Sequence, residues 1–534
     1  TVHASGEIRG LERVGGFAGK APTLAEGLLY NGSAAHYRTQ LDRVAAMTPE
    51  EVRTVTARWL SRPAFSLTVE PGTRTEGGEN RGGYIVSPGE GGARPAFWRD
   101  PLLAPAATSL ASPRSAVSAD RSRLPPIGAL TPLDFPEIET ATLANGIKVF
   151  LARRTSVPLV SVRVSFDAGR AADPVGASGT GALLLELMDE GTEKLGSSAL
   201  ARERERLGAS IAGSATQDRT NFDLDALSPN LAPSLALLAD YVRRPALDPA
   251  ELERVRAQQI AAISAELKDP QQLAGRTLFA TLFGPDHPYG VSPGGSGNAK
   301  AVAALTRDDL VAWHGRWLHP MKAQIFVVGD TTMETIKPLL EDSFGTWPAT
   351  RIALPTKDFS VPVPAPRPLI VLVDRPASPQ SVIFAGMVLD AKGTDDLLDL
   401  KSANDILGGN FLSRINMNLR ETKGWSYGAG GAVRDPLDRA QFYIAAPVQA
   451  DRTGDAIAEI RKELGGFLGN KGVTAKELDW STAGSARELP GSFETNSDVL
   501  AALTKTIDYG RPFDFYERLA ARYGAMTAAG LDQA

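Results

Sequence analysis

Leu143-Ala144-Asn145-Gly146-Ile147 is the stretch on which the fold turns. Asn-Gly is the strongest short signal for a two-residue hairpin turn, because both residues accept the positive φ that such a turn requires. Short alternating runs at 138–142 and 147–152 flank it and read as the two strands of the hairpin. Another alternating run, 160–166, comes next. Helix-period stretches at 179–189, 197–207, 231–243 and 249–266 follow, broken by strand-like 210–215 and 221–226. Strands and helices thus arrive in blocks rather than one by one. That order predicts an α+β fold with helices packed on one face of a mainly antiparallel sheet.

The same grammar returns further on. Residues 369–373 and 380–386 read as strands, 396–407 as a helix and 441–448 as another strand. Two domains of one kind are therefore expected, over 137–350 and 351–534. A smaller unit repeats as well. Thr306-Arg307-Asp308-Asp309-Leu310 leads to Arg316-Trp317-Leu318 and a strand at 323–328. Thr48-Pro49-Glu50-Glu51-Val52 leads, at the same spacing, to Arg58-Trp59-Leu60 and an alternating run at 65–69. In both, Thr is a good N-cap, with an acidic residue three positions later. A third copy opens at Met526-Thr527, and Tyr509, Tyr516 and Met526 repeat the spacing of Tyr30, Tyr37 and Met47. Residues 1–70 therefore read as the C-terminal part of a preceding, similar domain. Between them, 71–136 is a Pro/Gly/Ser/Ala-rich linker with stretches such as Gly91-Gly92-Ala93-Arg94-Pro95 and Ala104-Pro105-Ala106-Ala107, a composition that builds no core. The chain opens on Thr1, and the repeats favour a piece of a longer polypeptide over a removed leader.

At 534 residues the chain is too long for one core. Hydrophobic content of 43% and charged content of 22% describe ordinary soluble globular protein. A net charge of −5 gives no reason to expect nucleic acid or an anionic membrane surface as partner. Cysteine is absent, which excludes disulfides, thiolate metal sites and Cys nucleophiles. No run of 18 apolar residues predicts a membrane span.

The candidate chemistry lies in Leu419-Arg420-Glu421-Thr422-Lys423-Gly424-Trp425-Ser426-Tyr427-Gly428. Apolar residues at 411, 412, 415 and 419 predict a helix over 411–420 that ends at Arg420. Gly424 would then turn the chain into a strand carrying Tyr427. Across such a turn, a cation and a phenol can address one point. Taken alone, the two also read as a surface Arg and an edge-strand Tyr. The histidines offer less. His314 and His319 are five apart, beside Trp313 and Trp317, and read as packing or helix-terminal residues. His287, in His287-Pro288-Tyr289-Gly290, reads as structural, and His3 and His36 lie in the N-terminal tail. The Arg/Glu-rich run 202–206 is a solvated helix face.

The stretch around Arg420 and Tyr427 resembles the C-terminal half of the insulinase/pitrilysin-type peptidases, the inverted zincins. Three marks carry the likeness, in order: Gly179-Thr180-Gly181-Ala182-Leu183-Leu184-Leu185-Glu186-Leu187 ahead of Gly191-Thr192; the Trp317…Val328-Gly329-Asp330 domain ending; and Arg420…Tyr427. In that family two His, at i and i+4 on one helix, hold zinc and an intervening Glu is the general base. Here Leu183 and Leu187 stand at the His positions, Glu186 at the Glu, and Ala262 at the third ligand. The resemblance implies no metal bound by this chain, with zinc and its His-x-x-Glu-His helix supplied by an upstream module or a partner chain. It implies catalytic roles for Arg420 and Tyr427 at the tetrahedral intermediate, substrate contacts at Gly428 and Gly430, and a peptide substrate lying as an added strand. The second reading from the same resemblance is a non-catalytic assembly or peptide-binding protein. A periplasmic or secreted location is the expectation for a bacterial relative of this composition.

Overall fold

The computed structural model describes residues 2–15, 19–68, 128–291, 294–349, 353–376 and 378–534. It divides into two units, one of residues 1–45 with 130–534 and one of 46–129. The smaller unit holds the helix Pro49–Leu60. Thr48 accepts from the Glu51 N–H while the Glu51 carboxylate accepts from the Thr48 N–H, the reciprocal cap that the sequence predicts. The expected strand at 65–69 does not form over residues 65–68, where the backbone has no ladder partner; Val69 lies outside the described residues. So does most of the expected linker, including the Gly91 and Ala104 stretches.

In the larger unit the first sheet has six strands: β1 (Ile138–Thr142), β2 (Lys148–Arg153), β3 (Leu159–Phe166), β4 (Ser210–Ala215), β5 (Thr220–Leu227) and β6 (Ala323–Gly329). Their order is β1-β2-β6-β3-β5-β4. All neighbours run antiparallel except β2 and β6, paired parallel with Val149 opposite Ile325. A turn through Asn145-Gly146 joins β1 to β2 as expected. Only Gly146 (φ 95°) takes a positive φ, and its N–H donates to the Leu143 carbonyl (2.9 Å), so it is not the two-residue type in which both residues would. Alternation assigns the faces. Val160, Val162, Val164 and Phe166 point into the main core with Phe222, Leu224, Ile325 and Val327. Helices Thr180–Met188, Leu231–Arg243, Pro249–Glu266 and Arg307–Trp317 cover that face. The opposite face buries Phe150, Phe326 and Val328 against Val499, Leu500 and Leu503 of the helix Asn496–Asp508. Helices therefore cover both faces of this sheet, where the sequence predicted one.

The second sheet has three strands, β7 (Gln380–Val388), β8 (Gly430–Arg434) and β9 (Gln441–Gln449), in the antiparallel order β7-β9-β8. Ile444, Ala446 and Val448 pack with Ile415, Leu419 and Ile460 in a core of their own. The expected strand at 369–373 does not form: among the described residues its backbone pairs with no other strand. The expected helix at 396–407 is shorter. It runs Leu398–Asn404 and then opens into a wide turn, Asp405–Gly409. Gly408 permits the close approach of that turn to β8: a Cβ there would stand 2.5 Å from the Gly431 nitrogen, leaving no room for a side chain.

Tyr289 ties the two sheets together. Its buried hydroxyl donates to Asp218 (2.6 Å) and accepts the N–H of Asp438 in the β8–β9 turn (3.1 Å), while Asp218 also accepts the Leu437 N–H (2.9 Å). Burial pushes the Tyr289 phenol far above its ordinary range, so it remains a donor.

Candidate functional site

The local sequence around Arg420 folds differently from a simple amphipathic helix. Asn410 Oδ1 accepts the Leu412 N–H (3.2 Å), and Asn416 Nδ2 donates to the Phe411 carbonyl (2.6 Å). These bonds satisfy the backbone outside a helix, so Phe411 and Leu412 stay in a turn and face solvent. Helix begins only at Arg414 (Arg414–Asn416) and widens into a π-type turn, Met417–Thr422. The predicted helix 411–420 is thus corrected at both ends, and Arg420 does not close it. Ile415 and Leu419 drop into the second core, as their spacing required. Gly424 then reverses the chain at φ 66°, a conformation that costs glycine nothing. Tyr427 lies in the loop ahead of β8 and not on a strand, the second correction.

Across this turn the structure brings Arg420 and Tyr427 together. The Arg420 guanidinium carbon lies 5.0 Å from the Tyr427 ring centroid and 4.6 Å from that of Phe411. Glu421 is its carboxylate neighbour, at 3.2 Å. Two rings therefore hold the cation in place by contacts worth roughly 0.5–1 kcal/mol each at an exposed site. Tyr427 is 85% exposed, and its hydroxyl has no hydrogen-bond partner among the described residues. The loop beneath is fixed: Ser426 Oγ donates to the Pro447 carbonyl (2.6 Å) and accepts the Gly428 N–H (3.1 Å), and Asn416 Oδ1 accepts the Ala429 N–H (3.1 Å). A Cβ at Gly428 would meet only Asn416 Oδ1, at 3.9 Å, an ordinary van der Waals contact. Gly430 does not, since a Cβ there would stand 2.7 Å from the Gly408 carbonyl oxygen. Sequence reasoning missed Phe411 as the second ring on Arg420 and Asn416 as the clamp. The Asn410-Phe411 pair was the only hint.

The helix Thr180–Met188 carries the other predicted positions. Asp173 caps it, accepting from Gly179 N–H (2.7 Å) and Gly181 N–H (2.8 Å). Burial outweighs those bonds and pushes the Asp173 carboxyl up to about 6. Leu183 and Leu187 are 0% and 1% exposed and belong to the main core. Glu186, one residue before Leu187, points to solvent with no partner among the described residues. Ala262 lies on the exposed side of the helix Pro249–Glu266. Two buried leucines, an alanine and one outward carboxylate do not fit a zinc ion. Among the described residues no group of three His, Cys, Asp or Glu could hold a metal. Three of the histidines make local backbone contacts: His287 Nδ1 accepts the Tyr289 N–H, His314 Nε2 meets the Val242 carbonyl at 2.9 Å, and His319 Nδ1 accepts the Met321 N–H.

A cavity of about 430 Å³ opens between the first sheet and the β8–β9 turn, lined by Arg163, Asn221, Arg434, Lys505 and Tyr509 among others. Neither Arg420 nor Tyr427 reaches it. Its charges are largely matched, Arg219 with Asp508 and Lys505 with Asp435 (2.8 Å) within the wall and Arg163 with Asp223 (2.6 Å) beside it.

Two family models match the chain: "Insulinase (Peptidase family M16)" over residues 148–287 and "Peptidase M16 inactive domain" over 304–481. An uncharacterized zinc protease of Mycobacterium tuberculosis is 24% identical over 396 residues, covering 73% of this chain and 87% of that protein. Subunit 1 of the mitochondrial cytochrome b-c1 complex of Rattus norvegicus is 26% identical over 211 residues, 40% of this chain and 43% of its own. Among solved structures, the peptidase M16 inactive domain of Pseudomonas fluorescens superposes with a TM-score of 0.65 at 24% identity, over 74% of this chain and 93% of that one. The periplasmic protease PqqL of Escherichia coli gives 0.61 at 16% identity, over 76% of this chain and 46% of that one.

Proposed function

We propose that this chain, which belongs to the insulinase (M16) family of peptidases, is the substrate-binding, transition-state-assisting half of a zinc-dependent endopeptidase that acts on peptides or unfolded polypeptides. The observation that carries the reading is the Arg420–Tyr427 pair. A cation held between two rings stands beside a phenol whose hydroxyl is exposed and unengaged. Such an arrangement suits an oxyanion: the Tyr427 hydroxyl donates to it and Arg420 supplies a fixed positive charge. Gly428 leaves backbone room for an extended substrate on the same loop. On this reading the zinc belongs to a zinc-bearing half, from the same precursor or a separate subunit, because the residues of the degenerate helix offer it no ligand set. Likeness to a periplasmic protease of the same fold supports an exported location, and no described helix is long and apolar enough to cross a membrane.

One finding favours the second reading, a non-catalytic assembly or peptide-binding protein: the match to a cytochrome b-c1 subunit. Purification from the native source, followed by zinc analysis and a peptidase assay on an unfolded peptide, separates the two. The half-enzyme reading expects a zinc-containing partner and cleavage by the pair but by neither alone. A chain that arrives zinc-free and inert, with no such partner, sinks it.

A further inference from the structure

Where the helix Asn496–Asp508 crosses the first sheet, its apolar contact with Phe150, Phe326 and Val328 gives way to the cavity, and several polar groups there are left without partners. Arg434 and Gln441 are direct cross-strand partners on β8 and β9, so their side chains leave one face of the second sheet side by side. Both line the cavity, and Asn221 of β5 lines it from the first sheet. Gln441 and Asn221 are only 4% and 5% exposed, yet neither carboxamide has a hydrogen-bond partner among the described residues. The row continues behind Asn221. Ser165 Oγ, opposite it on β3, and Gln324 Oε1, opposite Ser165 on β6, are buried and unpartnered too. Buried polar groups in folded proteins are nearly always bonded, so a row of exceptions beside a cavity points to a molecule that bonds them.

Charge singles out Arg434. Arg219 is met by Asp508 and Arg163 by Asp223, while Asp435 is met by two lysines, Lys401 (2.6 Å) and Lys505 (2.8 Å). Arg434 has no carboxylate among the described residues; the Phe279 ring faces it, 5.2 Å from the guanidinium carbon. Burial, and then the Arg434 charge, hold the nearby Arg170 guanidinium below its ordinary range. The wall thus carries a positive surplus at Arg434, with one free carboxamide beside it and another across the cavity.

We propose that this cavity binds a short peptide by its C-terminal end. Arg434 takes the terminal carboxylate on its two-pronged guanidinium. Gln441 and Asn221 bond the last peptide group, since each carboxamide can both donate and accept. Val291, Val433 and Ala501 receive the terminal side chain. At about 430 Å³ the cavity falls within the range of small-ligand sites, about 300–1,000 Å³, which suits a dipeptide rather than an extended chain. Neither Arg420 nor Tyr427 takes part, so such binding holds whether or not the chain serves a peptidase.

The test titrates the 534-residue chain with the dipeptide Ala-Leu, with its C-terminal amide and with acetate, by isothermal titration calorimetry. Expected is a Kd of about 1 mM or tighter for Ala-Leu, at least about ten-fold better than for the other two. The amide forfeits the charge-assisted pair and acetate forfeits the peptide group. Arg434→Met keeps an apolar stem against Phe279 and should abolish the preference for acid over amide, while Arg420→Ala should leave it unchanged. Should Arg434→Met fail to fold, the comparison in the unaltered chain still decides, with hydrogen exchange at 430–441 expected to slow on adding Ala-Leu. Equal affinity for acid and amide overturns the proposal, and so does acetate that binds as tightly as the dipeptide, which marks a bare anion site. Binding of none of the three means that water alone fills the cavity. Binding lost in Arg420→Ala but kept in Arg434→Met would put the peptide at the other site.

Discussion

Restoring the two histidines of the degenerate helix, as Leu183→His with Leu187→His, is expected to unfold the domain rather than create a metal site. Both leucines are essentially unexposed and pack in the main core under the first sheet. Losing each one's burial costs roughly 1.5–3 kcal/mol. An imidazole set among apolar neighbours without a hydrogen-bond partner adds about 1–3 kcal/mol. Two such changes together cost roughly 5–12 kcal/mol, comparable with the whole stability of a typical domain, about 5–15 kcal/mol. Adding Ala262→Glu does not rescue the variant, because that position faces outward from its helix. Thermal unfolding by circular dichroism and zinc binding by equilibrium dialysis read the outcome. The expected result is a loss of cooperative unfolding or a fall in Tm of well over ten degrees, with no stoichiometric zinc. A triple variant that keeps its Tm within a few degrees and takes up one zinc per chain would show that the leucines line a preformed cleft, and the reasoning would fail.

Burial pushes the Asp405 carboxyl up to about 6, with Glu488 adding repulsion. Its folded pKa lies above the unfolded value, so the folded state holds the extra proton and stability falls as pH rises from about 4 to about 6. Asp405→Asn should therefore gain on the parent protein by about 1–3 kcal/mol between pH 4 and pH 7.5 in urea titrations; an unchanged difference across that range contradicts the assignment. Arg414 pairs with Glu477 through two bonds of 2.7 Å and donates to the Lys471 and Gly472 carbonyls. Burial raises the Glu477 carboxyl, but the Arg414 and Thr474 hydrogen bonds overcome it and bring it down to about 2. Arg414→Ala leaves that carboxylate poorly paired and is expected to cost about 2–4 kcal/mol by chemical denaturation; a cost under about 0.5 kcal/mol would mean that water replaces the pair.

Where local pattern and caps decided the structure, the sequence was legible. The helices at 197–207, 231–243 and 249–266 and the strand at 210–215 form at the predicted bounds, each with its own periodicity and, for 249–266, an Asp248-Pro249 start. Where a distant partner decided, it was not. Residues 369–373 have strand composition but pair with no strand among the described residues, and 65–68 likewise. Phe411 and Leu412 match a helical face, yet two asparagine side chains take their backbone out of the helix. The Arg420–Tyr427 contact was readable from a turn at Gly424, but the Phe411 ring that completes it was hidden by the wrong helix start. The Tyr289–Asp218–Asp438 link between the sheets joins residues about 70 and 150 positions apart, beyond any local signal.

The central claim is that Arg420 and Tyr427 act on substrate in a complete, zinc-bearing assembly. Its most direct test is kcat on an unfolded peptide for assemblies carrying Tyr427→Phe or Arg420→Ala, with Tm measured alongside. Tyr427 is exposed and its hydroxyl unbonded, so Tyr427→Phe should leave Tm unchanged. Losing one oxyanion donor should lower kcat by about 10²–10³-fold. Full turnover in both variants, at unchanged Tm, would contradict the account and leave a protein that binds or assembles without taking part in the chemistry.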